Sequence, residues 1–279
     1  MNSSSKSTQR FVHWPVRAQS KEASGVSTVA MKRPSDPLTE HQRHAPTRTF
    51  PASSQGPSRC LPRQAGLDSE AVRKGMVDKL RQLGSFDERV LQALQAVPRH
   101  HFVEPGLAAQ AYLDNALPIG FEQTISKPSV VARGLDAALK ALSSRPNLGK
   151  VLDIGTGCGY AAAVTARLAV DVYSVERIRA LHDLARNNLR ALRVPNLRLI
   201  LGDGMQGCAQ GAPFDVILSG AAALTVPQAW LDQLVVGGVL IAPIGDPQQL
   251  LLHRKRSATT FDVRPLEGAK FVPLKSGLT

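Results

Sequence analysis

Short apolar runs recur through the second half of the chain, at 151–154, 172–175, 197–201, 216–218, 239–242, 250–252 and 271–274. Helical periods at about 159–168, 177–192 and 227–235 separate the earlier ones. Strands joined through helices pair in parallel, and a parallel sheet needs both faces covered. The pattern therefore predicts an α/β fold: a Rossmann-like, doubly wound, seven-stranded sheet, mostly parallel. No helix separates the last two runs, which are linked instead by turn formers around Ser257 and Thr260, so an antiparallel hairpin is expected at the C-terminal edge.

Before the sheet, Ala71, Met76, Val77, Leu80 and Leu83 form one helical stripe that stops at Gly84. Val90, Leu91, Leu94 and Val97 form a second, capped by Ser85 or Asp87 and ended before Pro98. Both belong to an expected N-terminal helical subdomain. Residues 100–128 are rich in turn formers and read as loops and short strands, followed by a helix marked by Val130, Val131, Leu135, Ala138, Leu139 and Leu142. The chain thus divides into a tail over 1–65 and a folded unit over 66–279, itself split into a helical, substrate-contacting segment (66–145) and a cofactor-binding sheet (146–279).

Charge supports that boundary. The net charge is +12, and residues 1–65 hold ten Lys/Arg against three acids, leaving +5 for the rest. This Ser-, Pro- and Gln-rich stretch shows no apolar period and reads as a disordered basic tail, with an organelle transit peptide as the alternative. The three cysteines, Cys60, Cys158 and Cys208, form no metal-ligand or disulfide pattern and fit a reducing compartment. No apolar run approaches the roughly 20 residues that span a bilayer. The expectation is a soluble, cytoplasmic, monomeric protein without a metal, a membrane partner or a specific nucleic-acid partner.

The sharpest chemistry follows the first strand, in Asp153-Ile154-Gly155-Thr156-Gly157-Cys158-Gly159-Tyr160. Glycines at alternate positions let backbone pass close beneath a ligand, next to the amides that open a helix. A dinucleotide fingerprint needs a small third residue where Tyr160 stands, which weakens the diphosphate reading. Glu176 ends the second strand, where a carboxylate can accept both hydroxyls of a ribose, or simply favour the N-terminus of the next helix. Asp203, between Gly202 and Gly204 after the third strand, is either a ligand to a nucleobase amino group or a turn aspartate. His100-His101 reads as a pair pointing apart, without a metal role, and Cys158 as a packing residue rather than a nucleophile.

An acid two residues before GxGxG resembles the S-adenosylmethionine loop of class I methyltransferases, which implies that Asp153 serves the amino-acid end of that cofactor. Val97-Pro98-Arg99-His100-His101-Phe102-Val103, Leu117-Pro118-Ile119-Gly120, Gln123-Thr124-Ile125-Ser126-Lys127-Pro128 and Phe271-Val272-Pro273-Leu274 together resemble the protein-L-isoaspartate O-methyltransferase family. That likeness runs from about Arg73 to Leu274. It implies methyl transfer from S-adenosyl-L-methionine to the free carboxylate of L-isoaspartyl residues in proteins and peptides, with S-adenosyl-L-homocysteine as product. The ester would then close to a succinimide unaided, and hydrolysis would return some normal linkage. The resemblance assigns Ser126 as the active-site residue and Thr124, Asp153, Gly155, Thr156, Gly157, Gly159, Glu176, Asp203 and Gly204 to the cofactor. Taken alone, Ser126 reads first as an N-cap before Pro128. Lys127, Ser129, Ser219-Gly220 and Cys158 depart from the family's usual residues. Two other classes share part of this pattern: a class I methyltransferase acting on RNA or a small molecule, and a non-catalytic nucleic-acid-binding protein with a vestigial cofactor domain.

Overall fold

A computed structural model describes residues 70–266 and 270–279, so the tail expectation over 1–65 and Cys60 lie outside the described residues. Helices α1 (Glu70–Leu83) and α2 (Glu88–Ala96) form where the stripes predict them. Asp87 is the cap of α2, its carboxylate accepting from the Arg89 amide at 2.9 Å. Two short 3₁₀ turns, Arg99–Phe102 and Pro105–Gln110, lead to a hairpin of β1 (Leu117–Gly120) and β2 (Gln123–Ile125), then to α3 (Pro128–Ala141). His100 and His101 sit in the first 3₁₀ turn, not on a strand. Their rings therefore meet edge-on at 4.3 Å instead of pointing apart, and His100 Nδ1 lies 2.6 Å from the Tyr112 hydroxyl.

The α/β layer follows: β3 (Lys150–Ile154), α4 (Tyr160–Ala166), β4 (Asp171–Glu176), α5 (Arg179–Arg190) and β5 (Leu197–Leu201). After it come β6 (Phe214–Ser219), β7 (Ala221–Ala222), α6 (Gln228–Gln233), β8 (Leu234–Ile244), β9 (Gln249–Lys255), β10 (Phe261–Pro265) and β11 (Val272–Pro273). The main sheet has seven strands in the order β10-β9-β8-β6-β3-β4-β5. Its β5, β4, β3, β6 and β8 are parallel, and β9 is antiparallel to both neighbours.

The expected C-terminal edge needs one correction. The hairpin turns at Ser257–Thr260 as expected, but its outer arm is β10, not 271–274. β10 escapes a search for continuous apolar runs because it is a short edge strand open to water: Phe261-Asp262-Val263-Arg264 alternates over only four residues, and Asp262, Val263, Arg264 and Pro265 are all exposed. Residues 271–274 are apolar for another reason. Val272 and Pro273 pair with β7 in a separate two-stranded sheet, while Phe271 and Leu274 pack against the core from beside the cavity described below. Gln248 fixes this segment with a reciprocal pair of bonds to the Phe271 amide and carbonyl at 2.9 and 3.1 Å.

One face of the sheet shares a continuous core with the N-terminal helices, in which Leu80, Leu91 and Leu94 join Leu135, Leu139, Val151 and Val216. The helical segment is therefore packed into the sheet's own core. The opposite face holds Leu152, Ile154, Phe214, Leu240 and the fully buried Trp230, whose indole N–H donates to the Gly204 carbonyl at 2.8 Å. Fully burying a leucine contributes roughly 2 kcal/mol, so this double core anchors the loops at the strand ends firmly.

Candidate active site

The strand order reverses between β3 and β6, because the chain runs outward through β4 and β5 and then returns to the other side of β3. Open α/β sheets leave a crevice at such a point, outside the carboxyl ends of the strands. Here it is floored by Gly155 and Gly220: the Gly220 amide donates to the Ile154 carbonyl at 2.8 Å, and a Cβ on Gly155 would stand about 3.9 Å from the Gly220 backbone. Gly155 (φ +88°) and Gly157 (φ +55°) adopt backbone that side chains disfavour, which explains the alternate glycines. A Cβ on Gly157 would press to 3.2 Å from Ile119 Cδ1 on β1.

The crevice opens into two adjoining compartments that share Ile119, Thr124, Gly155, Gly157 and Gly220. The larger, about 770 Å³, extends past Glu176, Ile178, Gly204 and the C-terminal segment. The smaller, about 110 Å³, is walled by Asp153, Thr156, Cys158 and Ser219 on one side and by Ile125, Ser126 and α3 on the other. Together they suit a ligand of nucleoside size with a polar extension.

Glu176 is 5% exposed, and each of its carboxylate oxygens accepts one backbone amide at 2.9 Å, from Gly157 and from Ile178. It thereby ties the glycine loop to the start of α5, while the remaining lone pairs can accept from a ligand. Asp153 is equally buried. Its Oδ2 accepts from the Ser174 hydroxyl at 2.6 Å, and Oδ1 has no donor among the described residues. Burial, aided by the nearby Glu176 charge and opposed by the serine bond, pushes Asp153 up to about 6. The Thr156 hydroxyl lies 2.6 Å from that of Ser174.

Across the cavity, Ser126 is half-buried just before Lys127, and Lys127, not Ser126, is the N-cap residue of α3, without a side-chain cap bond. The capping alternative for Ser126 is thereby removed. What fixes the segment is its pairing to β1 and a clasp that sequence reading missed: Asp114 accepts from the Ser129 amide at 2.8 Å and from its hydroxyl at 2.7 Å. A carboxylate over the first turn of a helix meets its free amides and positive dipole end. Ser129 was legible only as a departure from the family's usual residue, and its partner lies 15 positions away. Arg99, fully buried, stacks its guanidinium 4.7 Å from the Tyr160 ring centre and donates to the Asn115 carbonyl, and burial lowers its pKa.

Two expected cofactor residues lie off the cavity wall. Gly159 (φ +93°) is the N-cap of α4, and a Cβ there would stand 3.0 Å from Leu189 Cδ1, so its glycine serves helix packing. Asp203 uses Oδ1 to accept the Met205 amide at 2.9 Å and Oδ2 to accept the Gly277 amide at 2.8 Å. That second bond belongs to a C-terminal strap. The Arg177 guanidinium donates to the Gly277 and Ser276 carbonyls, the Thr279 amide donates to Arg177 O at 3.1 Å, and the Arg179 amide donates to Thr279 O at 2.8 Å. Lys275 and Thr279 thus wall the larger compartment. Cys158 is buried and its thiol is pushed up to about 11, against thiolate chemistry. Among the described residues no cluster suits a metal, and no helix is long and apolar enough to cross a membrane.

Known proteins resemble this chain over most of its length. A family model described as protein-L-isoaspartate(D-aspartate) O-methyltransferase matches residues 71–279. A protein-L-isoaspartate O-methyltransferase of Burkholderia mallei (strain SAVP1) is 53% identical over 228 residues, covering 81% of this chain and 70% of the relative. Another, of Cupriavidus necator, is 56% identical over 210 residues, covering 71% and 69%. Among solved structures, a protein-L-isoaspartate O-methyltransferase superposes with a TM-score of 0.65 at 27% identity, over 74% of this chain and 67% of its own. A Plasmodium falciparum beta-aspartate methyltransferase in complex with S-adenosyl-L-homocysteine gives 0.63 at 25%, over 73% and 98%.

Proposed function

Because the chain belongs to the protein-L-isoaspartate(D-aspartate) O-methyltransferase family, we infer that the double compartment is where it methylates the free α-carboxylate of L-isoaspartyl residues in proteins and peptides, using S-adenosylmethionine. The observation that carries this reading is the continuity of the cavity, from the strand-end acids to the Thr124–Ser126 segment across the glycine loop. The cradle fits the cofactor, since two positive-φ glycines clear its floor and a buried aspartate leaves one carboxylate oxygen for a ligand.

When bound, S-adenosylmethionine supplies a methyl group on a sulfonium, ready for displacement by an oxygen nucleophile. Asp153, at the end of β3, holds the positive amino-acid end, and Glu176 accepts the ribose hydroxyls with the lone pairs its backbone bonds leave free. Gly155, Gly157 and Gly204 line the cavity with backbone that carries no side chain in the ligand's way. A substrate carboxyl with a pKa near 4 is already ionised at neutral pH, so no residue has to act as general base. Ser126 donates one hydrogen bond that orients this carboxylate, and as a neutral donor it leaves the oxygen nucleophilic where a full positive charge would quench it. Ile119, Ile125 and Phe271 keep the smaller compartment apolar and exclude water from the reacting atoms.

Residues 1–65 belong outside this catalytic unit, a reading supported by their basic, non-periodic sequence and by a family match that begins at residue 71. Action in the cytoplasm completes the proposal, supported by sparse cysteines that form no disulfide pattern. The decisive experiment measures radiolabelled methyl transfer to an isoaspartyl peptide and to its normal aspartyl isomer. Transfer to the first alone is expected, and equal transfer to both or to neither would refute the substrate assignment.

A further inference from the structure

Ser174 is fully buried on β4 and stands opposite Asp153 in the β3–β4 register. Its Oγ lies 2.6 Å from Asp153 Oδ2 and 2.6 Å from Thr156 Oγ1. A carboxylate can only accept, so the serine proton goes to Asp153, and the serine oxygen is left to accept from Thr156. The direction of the chain is thereby fixed, from Thr156 to Ser174 to Asp153. Thr156 walls the smaller compartment, but its hydroxyl is engaged with that of the fully buried Ser174.

We propose that Ser174, backed by Thr156, is a positioning residue that keeps Asp153 ionised and its Oδ1 presented to the cavity, so that the cofactor's ammonium group meets a carboxylate. This rests on the assignment of Asp153 made above. Two influences oppose ionisation: burial, and Glu176, the carboxylate at the end of β4. Cys158 and Tyr160, the other titratable side chains at this compartment, are held neutral by burial at about 11 and about 12, with the Arg99 guanidinium stacked on Tyr160. The walls from α3, β6, β8 and β9 present Val130, Leu135, Leu218, Ile241 and Leu250, none of which carries charge. The serine bond is therefore what favours the charged form of Asp153. Without it the carboxylic acid persists toward neutral pH, and the ammonium group binds only as a proton leaves.

Calorimetric titration of the full chain with S-adenosylhomocysteine, from about pH 5.5 to about pH 8 in buffers of different ionisation enthalpy, reads both affinity and proton release. Ser174→Ala should raise the midpoint of the affinity profile by about one to two pH units, giving roughly tenfold weaker binding near pH 6.5 and less than about threefold near pH 8. Proton release per bound ligand should rise in step. Ser174→Thr keeps the hydroxyl and should restore the wild-type profile. Thr156→Val removes only the second donor, so it should move the midpoint the same way by less, and it reads the same chain if the alanine variant does not fold. A Ser174→Ala loss that is equal at every pH, or no loss, overturns the proposal. Asp153→Asn separates the two layers. If it binds as tightly as wild type, the assignment of Asp153 itself fails; if it binds weakly while Ser174→Ala keeps the wild-type profile, only the relay fails.

Discussion

At the scale of single residues, Ser126 gives the cleanest test, because Lys127 occupies the N-cap of α3 and the two roles open in the sequence no longer compete. Ser126→Ala should lower turnover on an isoaspartyl peptide by roughly 10²–10³, the cost of losing one preorganised donor, with cofactor affinity and melting temperature nearly unchanged. Steady-state kinetics beside a thermal melt would check this, and a variant with near wild-type turnover would remove Ser126 from the reaction. Asp153 makes the opposite kind of prediction, a stability gain. Its pKa is raised in the folded protein to about 6, above the unfolded carboxyl value near 4, so the folded state binds more protons across that interval. Stability from this group is present at low pH and is lost as pH rises through about 6. His253, pushed down to about 4 by burial, has the reverse slope across that whole interval. Asp153→Asn removes the first contribution only. Cofactor-free Asp153→Asn should therefore be more stable than wild type at pH 7.5 by on the order of 2 kcal/mol, and equal to it near pH 4, as read by denaturant melts at the two pH values.

At the scale of elements, the C-terminal strap ties the ends of β4 and β5 together through contacts spanning 74 to 100 positions. Arg177 contributes two exposed guanidinium-to-carbonyl bonds, each discounted by solvent, so Arg177→Ala should loosen the strap without unfolding the sheet. Because Lys275 and Thr279 wall the larger compartment, dissociation of S-adenosylhomocysteine should quicken about three- to tenfold, measurable by stopped-flow competition. An unchanged rate would mean that the strap does not retain the ligand. The β1–β2 hairpin shows a second elemental feature: Phe121 and Glu122 at its tip both take left-handed backbone, at φ 52° and 58°. Such strain persists where surrounding structure imposes it, and both residues line the mouth of the larger compartment.

For the whole molecule, the catalytic unit is expected to begin after the basic segment. A chain starting near Gln64 should keep its melting temperature and its activity on isoaspartyl peptides, and lose only charge-driven associations. Calorimetry and the methyl-transfer assay test this, and failure to fold would move the boundary toward the N-terminus. Local pattern in the residues is enough for the parallel α/β layer, the glycine loop, the helix stripes with a cap at Ser85 or Asp87, and the acids at the ends of β3 and β4. This holds because hydrophobic period, positive-φ glycines and capping are local, each readable within one element. The remainder rests on contacts between distant segments. That Ser174 stands opposite Asp153, that Asp114 clasps Ser129, that Asp203 turns to the strap and that β10 takes the sheet edge all depend on which distant segments become neighbours. Strand register and chain crossing set those pairings, and neither a buried hydroxyl nor a four-residue alternation on an exposed edge strand shows in the sequence which segment it will meet.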